Sequence, residues 1–168
     1  MSASPPRFDI GAVPTHWVTL DDDVMGGHSR SRVAVHDGVL TFSGTTSLDD
    51  NGGFASIRAR GAFDLAGARG LHLRVRGDGR GYQLRIATDA RHRGSNVSWR
   101  GDFDAPAGVW TEVVVAFARM QPTYRGTVLD GPALDLSKVE EIGLLIGDGR
   151  AGGFALDVDG IWPVPTVA

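Results

Sequence analysis

The sequence predicts an all-β protein, a sandwich or barrel of antiparallel strands. Short runs in which apolar and polar residues alternate recur along the chain. The 24 glycines fall between these runs and form no low-complexity tract. Candidate helices are limited to about one turn, which excludes a doubly wound α/β fold. We therefore expect a single domain of about nine strands at residues 15–163, with a flexible arm at 1–14 and a tail at 164–168.

Alternation and turn signals locate the strands in chain order. Asp37-Gly38 lies between two apolar runs and is the strongest short hairpin signal. Apolar residues alternate with polar ones on both sides of Gly77-Asp78-Gly79. Residues 142–146 form a continuous apolar run, typical of a strand buried on both faces. The predicted strands lie at 32–36, 39–43, 54–60, 71–76, 82–86, 97–103, 110–117, 142–146 and 154–159.

Polar residues share a phase on several of these strands. If the strands are neighbours, they form one polar, arginine-rich sheet face that suits a sugar, an anion or an acidic protein patch. The plainer alternative is an ordinary solvated sheet face. The polar sets are His72, Arg74 and Arg76; Gln83 and Arg85; and Ser98, Arg100 and Asp102. Core positions are the usual environment of tryptophan, which we expect for Trp17, Trp99, Trp110 and Trp162.

Composition excludes several classes of protein. Cysteine is absent, so disulfides, thiolate nucleophiles and thiolate metal sites are excluded. The net charge of -3 argues against a nucleic-acid binder. No apolar run approaches the roughly 20 residues of a membrane span. Since residues 1–14 lack the pattern of a signal peptide, we expect a cytoplasmic protein. Arginine supplies 16 of the 17 basic residues, which indicates a GC-rich genome rather than phosphate binding.

Three adjacent carboxylates, Asp21-Asp22-Asp23, repel one another unless positive charge or hydrogen-bond donors lie nearby. A calcium ion would accept oxygen ligands of this kind, but the spacing does not match an EF-hand loop. The alternative is that one aspartate accepts hydrogen bonds from turn backbone while the others are solvated or pair with arginine. We expect no cofactor, with a structural calcium ion as the less favoured possibility.

A hydrolytic triad of Asp22, His28 and Ser29 is weighed and rejected. The nucleophile-elbow pattern Gly-x-Ser-x-Gly fails because Ser31 occupies its last position. Adjacent residues on a strand also point to opposite faces, so His28 and Ser29 should not meet. Gly26-Gly27 instead indicates backbone at positive φ or close to another element. We therefore expect no catalytic residue and no enzyme.

Two further segments are rich in glycine. After Asn51-Gly52-Gly53, a strand would place Phe54, Ser56 and Arg58 on one face. Such a face is either a polar ligand site or an arginine paired with the aspartates. The segment 76–82 superficially resembles a dinucleotide loop, but a strand follows it where a phosphate-binding helix would be needed. We interpret it as a connection between strands.

Taken in order, these motifs resemble the complex I intermediate-associated protein 30 family over about Trp17 to Ile161. The resemblance implies a galactose-binding-like sandwich, or jelly roll, close to carbohydrate-binding modules. Mitochondrial members of this family are assembly chaperones of respiratory complex I. The motifs are Asp22-Asp23-Val24-Met25-Gly26-Gly27 with Ser29; Phe42-Ser43-Gly44; Asn51-Gly52-Gly53-Phe54 with Ser56 and Arg58; Arg76-Gly77-Asp78-Gly79-Arg80 with Tyr82; and Ile142-Gly143-Leu144-Leu145-Ile146.

The resemblance implies a non-enzymatic binding or assembly module. Its partner would be a respiratory complex I subunit or assembly factor, bound through the loop edge that carries the motifs. The alternative is a module that binds a sugar or small anion, like a carbohydrate-binding module. The candidate binding residues are Asp21, Asp22, Asp23, Met25, Gly26, Gly27, His28, Asn51, Gly52, Gly53, Ser56, Arg58, Arg76, Asp78 and Tyr82.

Overall fold

The structure, a computed structural model, describes residues 17–166, apart from the side chains of Val24, Met25 and Asn51. It confirms the predicted antiparallel β-sandwich. The strands are β1 (Trp17–Thr19), β2 (Arg30–His36), β3 (Val39–Thr46), β4 (Ala55–Phe63), β5 (Ala68–Arg76), β6 (Gly81–His92), β7 (Ser95–Asp104), β8 (Thr111–Ala116), β9 (Gln121–Tyr124), β10 (Thr127–Val128), β11 (Val139–Ile146) and β12 (Gly152–Pro165).

The expected count of about nine strands is wrong, because the described residues contain twelve. All nine predicted strands are present, and β1, β9 and β10 are additional. These three strands have two to four residues each. Such segments are too short for a period-two pattern to emerge from the sequence. At the other end, β12 continues opposite β5 to Pro165, past the expected domain end at 163. The predicted arm at 1–14 lies outside the described residues.

The strands form two sheets that pack face to face. The seven-stranded sheet has the order β1-β4-β11-β6-β7-β9-β10, and the five-stranded sheet has the order β2-β3-β12-β5-β8. Alternate residues of each strand point into the core, where Phe42 and Phe154 meet edge to face with centroids 4.9 Å apart. Helical segments of residues 17–166 are short 3₁₀ turns, and none is long and apolar enough to cross a membrane.

The single polar face suggested by the sequence is wrong, because β5 and β6 belong to different sheets. His72, Arg74 and Arg76 lie on β5 in the five-stranded sheet. Gln83 and Arg85 lie on β6 in the seven-stranded sheet, beside the polar residues of β7. Alternation predicts which side chains point outward, but it does not determine which sheet a strand joins.

Two arginines of β5 on the outer face of the five-stranded sheet are paired within the sheet. Arg74 contacts Asp159, and Arg76 donates to Asp157 with an Nη2–Oδ2 distance of 2.8 Å. Both guanidinium groups lie over the ring of Trp110, 4.7 and 4.8 Å from its centroid. The expectation of four core tryptophans therefore holds for Trp99, which is 2% exposed, but not for Trp110. Two other tryptophans differ again: Trp17 packs against the core and Trp162 contacts His72.

Arg80, only 6% exposed, locks the two sheets together at one end. It precedes β6 and donates two hydrogen bonds to Asp148, at 3.0 and 2.7 Å. It also donates to Thr46 at the end of β3 and to the carbonyls of Gly152 and Gly153 in β12. The hydrogen bonds to Asp148 raise the pKa of Arg80 despite its burial, so the guanidinium stays charged.

We expect Arg80→Met to lower the free energy of unfolding by about 3–5 kcal/mol, because it leaves a largely buried carboxylate without its partner. Urea unfolding followed by tryptophan fluorescence measures the change. Arg32→Met is the matched control, because Arg32 is exposed on β2, and its effect should stay within about 0.5 kcal/mol. Equal unfolding midpoints for Arg80→Met and wild type would contradict the role of Arg80 as a lock.

Candidate functional site

The Asp22 carboxylate is buried and accepts four hydrogen bonds. Oδ1 accepts from the Ser29 backbone N–H at 2.8 Å, and Oδ2 accepts from the Ser29 hydroxyl at 2.6 Å. Oδ2 also accepts from the backbone N–H groups of Gly53 at 2.6 Å and Phe54 at 3.1 Å. These contacts join the β1–β2 connection to the segment that enters β4. Asp22 is thus a structural anchor at the edge of the sandwich.

Asp21 performs the same task one residue earlier in the chain. Its carboxylate accepts from the backbone N–H and the hydroxyl of Ser31 on β2, at 2.8 and 2.6 Å. It also accepts from the backbone N–H of Ser56 on β4, at 3.2 Å. Since β2 and β4 belong to different sheets, Asp21 ties the two sheets together. The repulsion between adjacent carboxylates is thus offset by serine and backbone donors, while Asp23 is exposed to solvent.

Burial alone would raise the pKa of Asp22, but its hydrogen bonds outweigh that effect. The donors are the Ser29 hydroxyl and the backbone of Gly53, Ser29 and Phe54, and the folded-state pKa is lowered. Two glycines make this close packing possible. A Cβ atom on Gly27 would lie 2.5 Å from Asp22 Cγ, and one on Gly52 would lie 2.7 Å from Oδ2. The glycine motifs therefore surround this carboxylate.

The structure does not bring Asp22, His28 and Ser29 together as a triad. The Ser29 hydroxyl donates to Asp22, and its oxygen accepts from the backbone N–H of Ser47 at 2.9 Å. The ring of His28 instead contacts Asp50, with Nε2 and Oδ2 2.6 Å apart, and both side chains are more than half exposed. Neither geometry matches a histidine base acting on a serine nucleophile. That the protein is not an enzyme stays a prediction.

Asp78 is also fully engaged in structural contacts. Its carboxylate accepts from the Tyr82 hydroxyl at 3.0 Å, from the Arg80 backbone N–H at 3.0 Å and from the Ala155 backbone N–H at 2.8 Å. Burial, followed by the charge of Asp78, raises the pKa of Tyr82. Because Ala155 lies on β12, these bonds fasten the connection between β5 and β6 to the five-stranded sheet. Arg76 is paired with Asp157, as described above.

A groove of about 880 Å³ crosses the outer face of the seven-stranded sheet. Its floor consists of outward-facing residues of β4, β11, β6, β7 and β9. Leu48, Gly52 and Gly53 border it at one end, and Arg125 and Gly126 of the β9–β10 turn border it at the other. The polar side chains along it are Ser56, Arg58, Gln83, Arg85, Asn96, Ser98, Thr123 and Glu141.

Five of the fifteen predicted site residues line this groove: Asp22, Gly52, Gly53, Ser56 and Arg58. As predicted, Phe54, Ser56 and Arg58 share a face, while Ala55 and Ile57 point into the core. The side chains of Met25 and Asn51 lie outside the described residues. Arg76 lies on the outer face of the five-stranded sheet, and the remaining predicted residues lie elsewhere on the loop edge or inside it. Whether any of them binds a partner stays a prediction.

Sequence reasoning missed most of the groove. Gln83, Arg85 and Ser98 could be assigned to an outer face from alternation, but nothing connected them to Arg58. Thr123 carried no signal, because β9 was not predicted. Glu141 is 7% exposed and contacts Arg58, with Nε and Oε1 3.2 Å apart. It lies in a segment whose sequence suggested one helical turn followed by an apolar strand.

The residues described contain no group of three histidine, aspartate or glutamate side chains that could hold a metal ion. Both oxygens of Asp21 and of Asp22 are directed at N–H and O–H donors instead. Asp21 and Asp22 therefore accept hydrogen bonds from the protein itself, in agreement with the alternative to calcium binding that was given for this run of aspartates. The absence of a cofactor stays a prediction.

Comparison with known proteins confirms the resemblance inferred from the motifs. The family model described as Complex I intermediate-associated protein 30 matches residues 7–158. The chain belongs to this family. It is 29% identical over 165 residues to the mitochondrial Complex I intermediate-associated protein 30 of Mus musculus. That alignment covers 85% of the chain and 50% of the mouse protein, so the chain spans about half the length of this relative.

Solved structures with the same fold include carbohydrate-binding modules. One is a family 11 module from Clostridium thermocellum in complex with a β-1,3-1,4-mixed-linked tetrasaccharide, with a TM-score of 0.71, 16% identity and 99% coverage of both chains. Another is the family 11 module of a cellulosomal cellulase, Lic26A-Cel5E, from the same organism. It has a TM-score of 0.70 and 14% identity, and the match covers 99% of this chain and 98% of that one. At these identities the likeness establishes the fold alone.

We expect Asp22→Asn to lower the free energy of unfolding at neutral pH by about 2–3 kcal/mol. The amide NH2 of asparagine would point at N–H and O–H groups that now donate to the Asp22 carboxylate, and donors cannot pair with donors. The folded-state pKa of Asp22 is lowered. Its charge therefore stabilises the fold above the ordinary carboxyl pKa, and this stability is lost as the pH falls through the folded value. The variant should lose less stability than wild type between about pH 5 and pH 2.

Urea unfolding at a series of pH values measures this difference. Asp23→Asn is the matched control, because Asp23 is the exposed neighbour in the same segment. Other carboxylates titrate in both proteins, so the comparison isolates Asp22. If the Asp22 and Asp23 variants gave the same stability and the same pH dependence, Asp22 would not be the anchor.

Proposed function

We propose that this chain is a protein-binding module with a role in respiratory complex assembly, and that it binds its partner through the groove on the seven-stranded sheet. The observation that carries the proposal is membership of the Complex I intermediate-associated protein 30 family. The name of the mouse relative associates that protein with a complex I intermediate. That name also says mitochondrial, so cytoplasmic localisation of this chain stays a prediction.

The groove is favoured over the loop edge because its polar groups are better placed to bind. On the loop edge, the carboxylates of Asp21 and Asp22 are already occupied by serine and backbone donors. On the five-stranded sheet, Arg74 and Arg76 are paired with aspartates. The groove, by contrast, exposes the side chain of Asn96 and part of the side chains of Arg58 and Arg85. Concave surfaces with a few convergent polar groups are typical binding sites.

Charge favours an acidic partner surface. Three arginines line the groove, Arg58, Arg85 and Arg125, against the carboxylates of Glu141 and Asp22. The Asp22 carboxylate is 1% exposed and fully hydrogen-bonded, so it presents little charge to a ligand. The groove is thus locally positive on a chain whose net charge is -3. Such an asymmetry steers acidic partners to one face.

Carbohydrate binding is the second candidate function. It is favoured by the sandwich fold shared with the family 11 modules and by a groove within the usual size range for small ligands. Phe54 is the one aromatic residue among those that line the groove, and none of the four tryptophans lines it. A sugar would therefore have to bind mainly through hydrogen bonds rather than by stacking, which makes this candidate the weaker one.

We expect Arg58→Ala to abolish capture of the partner while the domain stays folded. The Arg58 side chain is 38% exposed, and the buried carboxylate of Glu141 keeps a second contact with Arg60 at 3.9 Å. We therefore expect Arg58→Ala to lower the free energy of unfolding by about 1–3 kcal/mol, which leaves the domain folded. Arg60→Ala is the matched control, because Arg60 lies on the same strand and faces the same Glu141 but does not line the groove. The measurement is affinity capture from the native host, with bound proteins identified by mass spectrometry.

Recovery of complex I subunits or assembly factors by wild type and Arg60→Ala, but not by Arg58→Ala, is the expected result. Equal capture by all three would remove the groove from the proposal. If wild type recovers none of these proteins, assembly is the wrong role. Calorimetric titration with the mixed-linked tetrasaccharide then tests the second candidate, and binding that Arg58→Ala weakens would put it first.

A further inference from the structure

One transverse row of residues under the groove contains three arginines. Arg58 on β4 is opposite Gly143 on β11, and Gly143 is opposite Arg85 on β6. Arg85 is in turn opposite Arg100 on β7. Side chains in such register are close neighbours on one face of a sheet, and like charges directly opposite each other are destabilising. This row therefore concentrates positive charge at the middle of the sheet.

Carboxylates compensate the two outer arginines of the row. Arg58 contacts Glu141 with Nε and Oε1 3.2 Å apart. Arg100 donates from Nε to Asp102 Oδ1 at 2.9 Å. Each of these carboxylates lies on the same sheet as its arginine. The two outer charges are thus offset within the protein.

The central arginine has only uncharged hydrogen-bond partners in the described part of the chain. Arg85 donates from Nε to Gln83 at 2.9 Å, and from Nη1 to Thr123 at 3.0 Å and to Ser98 at 3.3 Å. Its Nη2 group donates to no described residue. Burial, followed by the positive charges of Arg100 and Arg58, lowers the pKa of Arg85 to about 10, and the charge of Asp102 opposes these effects. A desolvated guanidinium without a hydrogen-bonded counter-charge is costly, and a bound anion would offset that cost.

Glycine in the row leaves room for such an anion. A Cβ atom on Gly143 would lie 2.9 Å from the Ile57 carbonyl oxygen and 3.6 Å from both Arg58 Cγ and Arg85 Cβ. Any larger residue would therefore fill the gap between the two arginines. Gly143 is itself buried, and it lines the groove together with the partly exposed side chains of both arginines.

We propose that Arg85 is the centre of an anion site whose ligand is a side-chain carboxylate on an acidic segment of the protein partner. This inference rests on the proposed function and deepens it. The guanidinium fork matches a carboxylate in a planar, two-hydrogen-bond geometry, and Nη2 supplies the donor that the protein itself does not use. Arg58 on the other side of Gly143 adds positive charge to the same gap.

Two observations favour a peptide carboxylate over free phosphate. Glu141 lines the same groove beside Arg58 and repels a doubly charged phosphate more strongly than a singly charged carboxylate. Apolar residues also line the groove, Leu145 on the same strand as Gly143 and Leu48 and Phe54 toward the loop edge, and they can contact apolar side chains of an acidic segment. A free phosphate would leave this apolar surface unused.

The test uses the full chain and two short fluorescein-labelled peptides. One peptide combines Glu with Leu, and in the other Gln replaces each Glu. Binding is followed by fluorescence anisotropy at low and at physiological salt. The proteins are wild type, Arg85→Gln, Arg85→Lys and the control Arg32→Gln, which removes an exposed arginine from the five-stranded sheet. Inorganic phosphate and free glutamate serve as competitors, and circular dichroism with urea unfolding checks each variant.

We expect wild type and Arg32→Gln to bind the Glu peptide, and to bind the Gln peptide at least about tenfold more weakly. Arg85→Gln should lose about tenfold or more in affinity for the Glu peptide. Arg85→Lys keeps the positive charge but not the planar guanidinium, so its affinity for the Glu peptide should lie between those of wild type and Arg85→Gln. If Arg85→Gln does not fold, Arg85→Lys and the comparison of the two peptides still decide the matter.

Equal affinity for the Glu and Gln peptides would overturn the anion site, as would unchanged binding by a folded Arg85→Gln. Displacement of the Glu peptide by phosphate at a lower concentration than by glutamate would assign the site to free phosphate and overturn the peptide ligand. The host capture experiment separates this inference from the proposed function. Capture of complex I proteins that survives Arg85→Gln would remove the anion site and leave the proposed function intact.

Discussion

The buried carboxylate of Asp22 is the interaction on which this edge of the sandwich depends. It gathers four donors from two connections, one that leads into β2 and one that leads into β4. The packing around it is tight, because a Cβ atom on Gly27 or Gly52 would lie less than 3 Å from the Asp22 side chain. The same contacts fix Gly53 and Phe54 where they border the groove. Asp22 thus stabilises the fold, while the groove beside it is the proposed binding surface.

Arg80 provides the corresponding anchor for a second set of connections. It ties the segment before β6 to β3, to β12 and to the loop that contains Asp148. Arg80, Asp22 and Asp78 are three of the six charged residues in the motifs, and all three have structural partners. Charges buried in a fold need partners of this kind. These charged motif residues therefore hold the two sheets together. The residues on the outer face of the seven-stranded sheet are not constrained by that role.

Local patterns were sufficient to predict the sandwich and the phase of its strands. Ser56 and Arg58 point outward as alternation requires, and the short strand β9 was missed because Gln121–Tyr124 is too brief for a pattern. Contacts between residues far apart in the sequence could not be predicted from local patterns. Arg80 lies 68 residues from Asp148 in the sequence, so nothing in the glycine-rich segment around Arg80 predicts that Arg80 is buried. The arginine row depends on the register of four strands, and its members, Arg58, Gly143, Arg85 and Arg100, become neighbours only in the folded sheet.

The most direct test of where the partner binds is site-specific photo-crosslinking in the native host. A benzoylphenylalanine is introduced at Asn96, which is exposed and lines the groove, or at His28, which is exposed on the loop edge. Arg32 on the five-stranded sheet is the control position. We expect a covalent adduct with a complex I subunit or assembly factor from position 96 and none from position 32. An adduct from position 28 with none from position 96 would contradict the groove and return the binding surface to the loop edge.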